Sequence, residues 1–321
     1  MGETLLELRE LSKYYTSGQG VVKGVDQITL LFQAGEFVAI TGESGSGKST
    51  LAHVMGGILS YESGELYYRG RPTSHFDGGD WERYRRDCVS FISQDYGILP
   101  GSAVLANVVS ALRLTGMDRA GAAVRAEEIL RQVELWELRG RRAAKLSSGQ
   151  KQRLGIADVL MKDPKVIIMD EPTLGLDPQG MEELLDLIKD LSVKDGRTIM
   201  LSSHQLHQVQ KVCDRVGIFV KGSLIACGPI EVLGRQLEQE GHYVTEAETT
   251  QADEALCEII RQMETVSSVS LKKNRLTVES SADIRASLAR TLIQHGYDCV
   301  GLRQKGGDLD EIYRKYFEQA D

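Results

Sequence analysis

A glycine-rich segment at residues 42–49 has the composition and spacing of a phosphate-binding loop. Its sequence, GESGSGKS, fits the pattern G-x-x-x-x-G-K-S/T, and it follows an apolar run, Phe37–Thr41, that predicts a buried strand. In such a loop the backbone N–H groups converge on phosphate oxygens, helped by the dipole of the helix that begins there. We predict that Lys48 lies against the β- and γ-phosphates and that Ser49 offers a hydroxyl to Mg²⁺. The predicted phosphate-binding residues are Gly42, Ser44, Gly45, Ser46, Gly47, Lys48, Ser49 and Thr50.

Two adjacent acidic residues follow a second apolar run. Val166–Met169 predicts an interior strand of a parallel sheet, so Asp170 and Glu171 would emerge at its carboxyl end, where α/β proteins bind their ligands. Asp170 would hold Mg²⁺ through its water shell, and Glu171 would take a proton from an attacking water. The pair could also be turn residues before Pro172, but the upstream phosphate loop favours the catalytic interpretation. The phosphate loop alone does not distinguish a kinase, a GTPase and a transport motor.

A helix with a polar start precedes the acidic pair. Ser147 or Ser148 can cap a helix that continues through KQRLGIADVL, and the first amides of that helix would form a second anion site. In isolation, this segment is only a capped helix. Beside the other motifs, however, residues 146–150, LSSGQ, are similar to the LSGGQ signature of the ABC ATPases, with Ser148 in place of the usual third-position glycine. The resemblance to this family covers roughly residues 4–235.

Four further residues match positions of the ABC ATPases, in the order that the family has them. Tyr15 matches the aromatic residue that stacks on adenine, although the neighbouring Tyr14 could be mistaken for it. Gln94 matches the glutamine that senses Mg²⁺ and water and relays to a membrane partner, which makes it a candidate metal ligand and catalytic residue. Asp177 matches the D-loop, and His204 matches the switch histidine that contacts the γ-phosphate.

The resemblance also implies an assembly, because in this family the signature of one subunit covers the ATP on the phosphate loop of another. The cofactors would be ATP and Mg²⁺, and the partners would be a second copy or a sister ATPase, together with integral membrane permease subunits. One side of each site would then provide Lys48, Ser49, Gln94, Asp170, Glu171 and His204. The other side would provide Ser147, Gly149, Gln150 and Asp177.

The class of transporter is less sharply indicated. The stretch DYGILPGSAVLANV after Gln94 resembles the MacB and lipoprotein-release motors, which act on membrane partners without moving a substrate through the bilayer. By contrast, GLDP at Gly175–Pro178 and the C-terminal LDEIYRKYFEQA resemble motors of ABC-2 exporters, and we expect export. A soluble ABC protein of DNA repair or translation is a remote alternative, since the chain has neither a long insertion before the signature nor a second cassette.

The elements that position these residues alternate between strands and helices. Short strands are expected from Thr4 to Phe37, a helix at Thr50–Leu59, helices within residues 102–162, and strands at Val166–Met169 and Thr198–Ser203. This order predicts an α/β fold: a P-loop NTPase cassette with a RecA-like core, an N-terminal antiparallel β subdomain and a helical subdomain, over residues 1–235. A polar linker at 235–241 would lead to a ferredoxin-like β-α-β-β-α-β domain over 236–321, with a last helix at Leu309–Gln319. We expect that domain to regulate or strengthen dimerisation, although a passive stabilising role is also open.

Charge and composition limit the partners of the 321-residue chain. A net charge of −8 and a compact basic cluster only at Arg139–Lys145 argue against nucleic acid. Five scattered cysteines without a CxxC pair indicate neither zinc nor a disulfide framework. An acidic N-terminal segment does not fit a secretory leader, and no apolar run approaches the roughly 18 residues of a membrane span. Together with the membrane permease partners that the resemblance implies, this leads us to expect a peripheral protein at the cytoplasmic face of the cell membrane.

Overall fold

The chain divides into two units, Met1–Cys227 and Gly228–Asp321. The computed structural model describes residues 2–17, 20–92, 97–114, 116–233 and 243–305. In these residues no helix has the length and apolar character needed to cross a membrane. All the candidate site residues that the structure describes lie in the first unit.

A six-stranded sheet in strand order β10-β9-β3-β8-β7-β6 forms the centre of the first unit. Its neighbouring strands from β9 to β6 are parallel. Every residue of β3, β7 and β8 is buried, as expected for interior strands of a parallel sheet. The strands are β3 (Phe37–Thr41), β6 (Val89–Ile92), β7 (Val166–Asp170), β8 (Thr198–Ser203), β9 (Arg215–Val220) and β10 (Ser223–Gly228).

A second, antiparallel sheet in strand order β2-β1-β4-β5 forms the predicted N-terminal β subdomain. Its strands are β1 (Thr4–Ser17), β2 (Gly20–Gln33), β4 (Ser63–Tyr68) and β5 (Arg71–Pro72). The prediction of several short strands up to Phe37 is wrong, because β1 and β2 are each 14 residues long. The pairing of β1 with β2 shifts register at several points, and these shifts interrupt the apolar alternation in the sequence. One long strand therefore has the sequence pattern of several short strands.

The helices of the first unit flank the central sheet or form a separate group. Within the predicted range 102–162, α3, α4 and α5 contact one another. The helix predicted at Thr50–Leu59 instead begins at Lys48, directly after Gly47, and ends at Met55, shortly before the positive φ of Gly57. The helices are α1 (Lys48–Met55), α2 (Gly78–Arg83), α3 (Val104–Leu114), α4 (Arg119–Gln132), α5 (Ser148–Leu160), α6 (Pro178–Val193) and α7 (Leu206–Val209).

One hydrophobic cluster joins the two sheets of the first unit through α1. Leu51, Ala52, Val54 and Met55 of α1 are fully buried and pack with apolar residues of β1, β2, β3 and β7. Burial of apolar surface contributes roughly 25 cal/mol per Å², so the helix after the glycine-rich loop is held firmly on the sheet. The loop is consequently anchored at both ends.

The second unit has the predicted ferredoxin-like order. Its sheet, in order β12-β13-β11-β14, is antiparallel throughout, and the helices pack on its apolar residues. The elements are β11 (Tyr243–Thr249), α8 (Glu254–Arg261), β12 (Val266–Lys272), β13 (Arg275–Ser280), α9 (Arg285–Gln294) and β14 (Cys299–Lys305). The predicted linker at 235–241 and the predicted helix at Leu309–Gln319 lie outside the described residues.

Candidate active site

The glycine-rich loop between β3 and α1 depends on glycine for its close contacts. A Cβ atom on Gly47, whose φ is 107°, would lie 2.0 Å from the carbonyl oxygen of Gly24. A Cβ atom on Gly42 would lie 2.3 Å from the carbonyl oxygen of Phe219. Within the loop the amide of Ser46 donates to the carbonyl of Glu43, at 3.1 Å. The backbone therefore turns tightly against β2 and β9 before α1 begins.

Lys48 places a buried ammonium under this loop. Its Nζ donates to the carbonyl oxygens of Gly42 and Glu43, each at 2.8 Å, and lies 4.0 Å from Oε1 of Glu171. Burial lowers the pKa of Lys48 below its ordinary value, although the carboxylates of Glu171 and Asp170 act in the opposite direction. An anion bound in the loop would interact with the Lys48 ammonium in a partly desolvated environment, where electrostatic attraction is strong.

Asp170, at the end of β7, is buried among hydroxyl groups. Its Oδ1 accepts hydrogen bonds from Ser49 Oγ at 3.1 Å and from Ser202 Oγ at 2.6 Å. A carboxylate beside a serine hydroxyl is an oxygen ligand set that suits Mg²⁺, which usually takes one or two protein ligands and completes its shell with water and phosphate. The predicted metal ligands Ser49 and Asp170 therefore lie together.

Glu171 follows Asp170 in an uncommon backbone conformation, with φ of 50°. Its amide donates to Ser202 Oγ at 2.9 Å, and its Oε2 lies 2.9 Å from Nδ1 of His204. The side chain of Glu171 is 12% exposed, whereas that of His204 is 41% exposed. The carboxylate is thus held between Lys48 on one side and His204 on the other, with access to solvent. A carboxylate that is oriented by its neighbours and open to solvent can act as a general base toward an incoming water.

Tyr15, and not Tyr14, lies beside the phosphate loop. The Tyr15 hydroxyl is 3.2 Å from Oγ1 of Thr50, and 40% of the residue is exposed. Tyr14 instead donates its hydroxyl to Oδ1 of Asp26, at 2.9 Å. An accessible aromatic ring next to the phosphate loop can stack on a nucleotide base. Gln94, by contrast, lies outside the described residues.

The signature segment begins α5 at a different place from the phosphate loop. Ser147 caps the helix: Gln150 N donates to Ser147 Oγ at 3.3 Å, and Ser147 N donates to Gln150 Oε1 at 3.1 Å. Ser147, Gly149, Gln150 and Asp177 line one cleft of about 610 Å³. None of residues 42–50 belongs to its lining. Among the residues that the structure describes, the predicted residues of each half therefore lie near one another, whereas the phosphate loop does not line the signature cleft of the same chain.

Known proteins resemble mainly the first unit of the chain, and one of them aligns with nearly its whole length. Residues 25–174 match the family model described as ABC transporter. A methionine import ATP-binding protein MetN of Geobacillus kaustophilus is 34% identical over 238 residues, which are 73% of this chain and 68% of the relative. The MetN of Cupriavidus metallidurans is 32% identical over 316 residues, 98% of this chain and 90% of the relative. The chain belongs to the ATP-binding subunits of ABC transporters. As such, it is an ATP hydrolase.

Solved structures of ABC proteins agree with this assignment. The ATP-binding cassette MJ0796, in a dimeric post-hydrolysis state bound to ADP and Pi, matches with a TM-score of 0.64 and 30% identity, over 70% of this chain and 97% of that one. The cbiO1 protein of Clostridium perfringens, part of the ABC transporter complex cbiONQ, matches with a TM-score of 0.65 and 29% identity, over 74% and 94%. The predicted fold class is confirmed.

The prediction of an export motor is contradicted by the names of the MetN relatives, which refer to import. The GLDP segment, Gly175–Pro178, leads into α6, and its first three residues line the signature cleft. The GLDP sequence is therefore a feature of the ABC ATP site and does not indicate the direction of transport. This is why it misleads as a marker of the transporter class.

Two residues of the ABC site have no sequence motif of their own. Ser202 binds both Asp170 Oδ1 and the amide of Glu171, and Gly24 leaves room for the phosphate loop and for Tyr15. The sequence signal for Ser202 is its place near the carboxyl end of the predicted strand Thr198–Ser203, two residues before His204. No comparable signal marks Gly24, because its contact with Gly47 joins distant parts of the chain.

Proposed function

We propose that the protein is the ATP-driven motor subunit of an importer, and that it forms a dimer around two ATP molecules with Mg²⁺. The observation that carries this proposal is the convergence of Lys48, Asp170, Glu171 and His204 at the carboxyl edge of β3, β7 and β8. A positive charge, a metal-binding carboxylate and a water-activating carboxylate are the groups that hydrolysis of a triphosphate needs.

The chain's own residues have separate tasks in this proposal. Lys48 and the loop amides bind the β- and γ-phosphates, and Ser49 and Asp170 hold Mg²⁺. The bound metal would neutralise charge on the phosphate oxygens. Glu171 takes the proton of the attacking water, and His204 holds the Glu171 carboxylate at Oε2. Tyr15 receives the adenine ring. Gln94 is proposed to relay the state of the site to a membrane partner.

The dimer follows from the separation of the two half-sites. The signature cleft has Ser147 and Gly149 at the start of α5, where amides and the helix dipole favour an anion. No phosphate-loop residue lines that cleft, so a second copy, or a sister subunit, would bring its loop to it. The dimeric state named for the MJ0796 structure supports this arrangement.

Import of methionine or a similar small solute is the transport function that we propose. It is supported by the names of the MetN relatives, one of which aligns with 98% of this chain. Separate integral membrane permease subunits would form the pathway, with the motor bound at the cytoplasmic face. Vesicles containing the protein and the permease that co-purifies with it should take up labelled methionine only when ATP is supplied on the motor's side. Uptake of labelled methionine at the same rate with and without ATP would contradict the proposal.

The variant Glu171→Gln tests the catalytic core of the proposal. Because an amide cannot accept the water proton, the rate of ATP hydrolysis should fall by at least about 100-fold. ATP binding should persist, so the variant should elute as a dimer when ATP is present. Glu182→Gln is the matched control, since Glu182 is an exposed glutamate on α6, and this variant should keep the wild-type rate. Wild-type hydrolysis by Glu171→Gln would show that another group activates the water.

A further inference from the structure

The strand that carries Tyr15 is irregular immediately before that residue. The pairing of β1 with β2 shifts register between Leu11 and Lys13 and again between Lys13 and Tyr14. Such bulges bend a strand and change the direction in which the next side chain points, and they are frequent beside active sites. After the bulge, Tyr15 pairs with Val22 and its hydroxyl reaches Thr50. Because the bulged backbone lacks regular ladder hydrogen bonds, other contacts must fix its conformation.

Glu62, directly before β4, makes three hydrogen bonds to the bulged segment. Its Oε1 accepts from Lys13 Nζ at 2.8 Å, and its Oε2 accepts from the amide of Tyr14 at 2.9 Å. Its own amide donates to the carbonyl of Ser12, also at 2.9 Å. One residue therefore binds the three residues that precede Tyr15. Both carboxylate oxygens are used, and the bonds to Lys13 and to a backbone amide are of the strong, charge-assisted kind.

The charge on Glu62 is maintained by these partners. Burial by itself raises the pKa of Glu62, but the bonds from Lys13 and from the Tyr14 amide more than offset it, and the pKa is lowered. The carboxylate is therefore ionised at neutral pH. This matters because Lys13 is only 9% exposed and its ammonium needs a counter-charge.

Lys13 connects this arrangement to the aromatic ring. Its Nζ lies over the ring of Tyr15, 5.8 Å from the centroid. An ammonium within about 6 Å of an aromatic face is attracted to it. On another side the ring fills the space next to Gly24, where an added Cβ would come within 2.6 Å of Tyr15 Cε2. The ring is thus restrained by Lys13, by Gly24 and by Thr50.

We propose that Glu62 is a positioning residue for the nucleotide base: by binding Lys13 and Tyr14, it fixes the bulged part of β1 so that the Tyr15 ring stays beside the phosphate loop. This inference rests on the proposed function, in which Tyr15 stacks on adenine. Glu62 itself touches no phosphate-loop residue among the hydrogen bonds described. Its effect should therefore depend on the base of the ligand and not on its phosphates.

The test compares two ligands on the full chain: ATP, and inorganic triphosphate, which has no base. Stacking of a base on an aromatic side chain strengthens binding, so a displaced ring should weaken ATP binding by about tenfold. We expect Glu62→Gln to raise the Kd of ATP by that factor and to leave the Kd of triphosphate within about twofold. Equal loss for both ligands would overturn the inference, because it would reveal a general disturbance of the cassette.

Two further variants guard against loss of folding. Glu62→Asp keeps the counter-charge for Lys13 but shortens the side chain, and it should show the same selective loss of ATP affinity. Glu3→Gln is the matched control: it removes an ion pair with Arg69 that joins the other ends of β1 and β4. This control should bind both ligands as the wild type does. A loss of ATP affinity in Glu3→Gln as large as that in Glu62→Gln would also overturn the inference.

Tyr15→Ala separates failure of the inference from failure of the proposed function. If Tyr15→Ala binds ATP as tightly as the wild type, the proposed base stacking is wrong. If Tyr15→Ala weakens ATP binding and Glu62→Gln does not, only the positioning role is wrong. When both single variants weaken it, adding Glu62→Gln to Tyr15→Ala should cause no further loss, because the two residues act through one contact. Additive losses would contradict the inference.

Discussion

At the scale of single residues, the contact between Glu171 and His204 lies at the centre of the proposed active site. The imidazole Nδ1 lies 2.9 Å from one carboxylate oxygen, and Lys48 Nζ lies 4.0 Å from the other. The two neighbours differ in exposure, since Lys48 is buried and His204 is accessible. Lys48 is therefore suited to hold bound phosphate throughout the cycle. His204 is suited to respond to the presence of the γ-phosphate, because it can move without unpacking the core.

Replacement of His204 should consequently affect turnover more than binding. In His204→Ala the Glu171 carboxylate loses the partner that orients it, and kcat should fall by about 10–100-fold. The KM for ATP should change by less than about threefold, because Lys48 and the loop amides remain. Steady-state kinetics of ATP hydrolysis measure both quantities. His75→Ala changes an exposed histidine at the end of the short turn Thr73–His75 and should leave both unchanged. A KM effect larger than the kcat effect would assign His204 to binding.

At the scale of elements, the phosphate loop is held by contacts between backbone segments. Gly47 has a φ of 107°, and an added Cβ would lie 2.0 Å from the carbonyl of Gly24 in β2. Gly45 also has a positive φ, of 82°, but nothing lies within 4 Å of an added Cβ. Both positions thus have a backbone conformation that strains any residue with a Cβ atom, and they differ in crowding.

This difference predicts unequal costs for the same substitution. Gly45→Ala should lower the free energy of unfolding by about 1 kcal/mol, from the left-handed conformation alone. Gly47→Ala should lower it by about 3 kcal/mol, because the clash with Gly24 is added. Urea unfolding followed by tryptophan fluorescence measures this in the first unit, where both tryptophans, Trp81 and Trp136, lie. Equal losses in the free energy of unfolding would mean that β2 shifts to accommodate the new methyl group on residue 47.

The elements also indicate what a single sequence can and cannot predict. Asp170 and Glu171 were predictable, because an apolar run identifies an interior strand and parallel strands present their carboxyl ends at one edge. The 14-residue length of β1 was not, since its bulge at Lys13 interrupts the alternation. Glu62 and Gly24 were also missed. Their partners lie far away in sequence, and a lone glutamate or glycine has no spacing pattern to reveal it.

At the scale of the whole molecule, the decisive feature is that the two proposed halves of the site lie apart in the part of the chain that the structure describes. The loop half contains Lys48 and Glu171, whereas the signature cleft contains Ser147 and Asp177 but none of residues 42–50. In a two-fold symmetric dimer, the same pair of surfaces meets twice, so two sites form together. A defect in either half should then inactivate both sites of a homodimer. Mixed dimers, however, need not be inactive.

Mixing two inactive variants tests this arrangement directly. Lys48→Ala damages the loop half, and Ser147→Arg damages the signature half. A mixed dimer of the two has one site with both defects and one intact site, so an equal mixture should recover about a quarter of wild-type hydrolysis when chains exchange freely. The matched control mixes Lys48→Ala with Glu171→Gln. Both defects then lie in the loop half, every site contains one of them, and no recovery is expected. Recovery in neither mixture would favour a site completed within one chain, against the separation of Lys48 from the signature cleft.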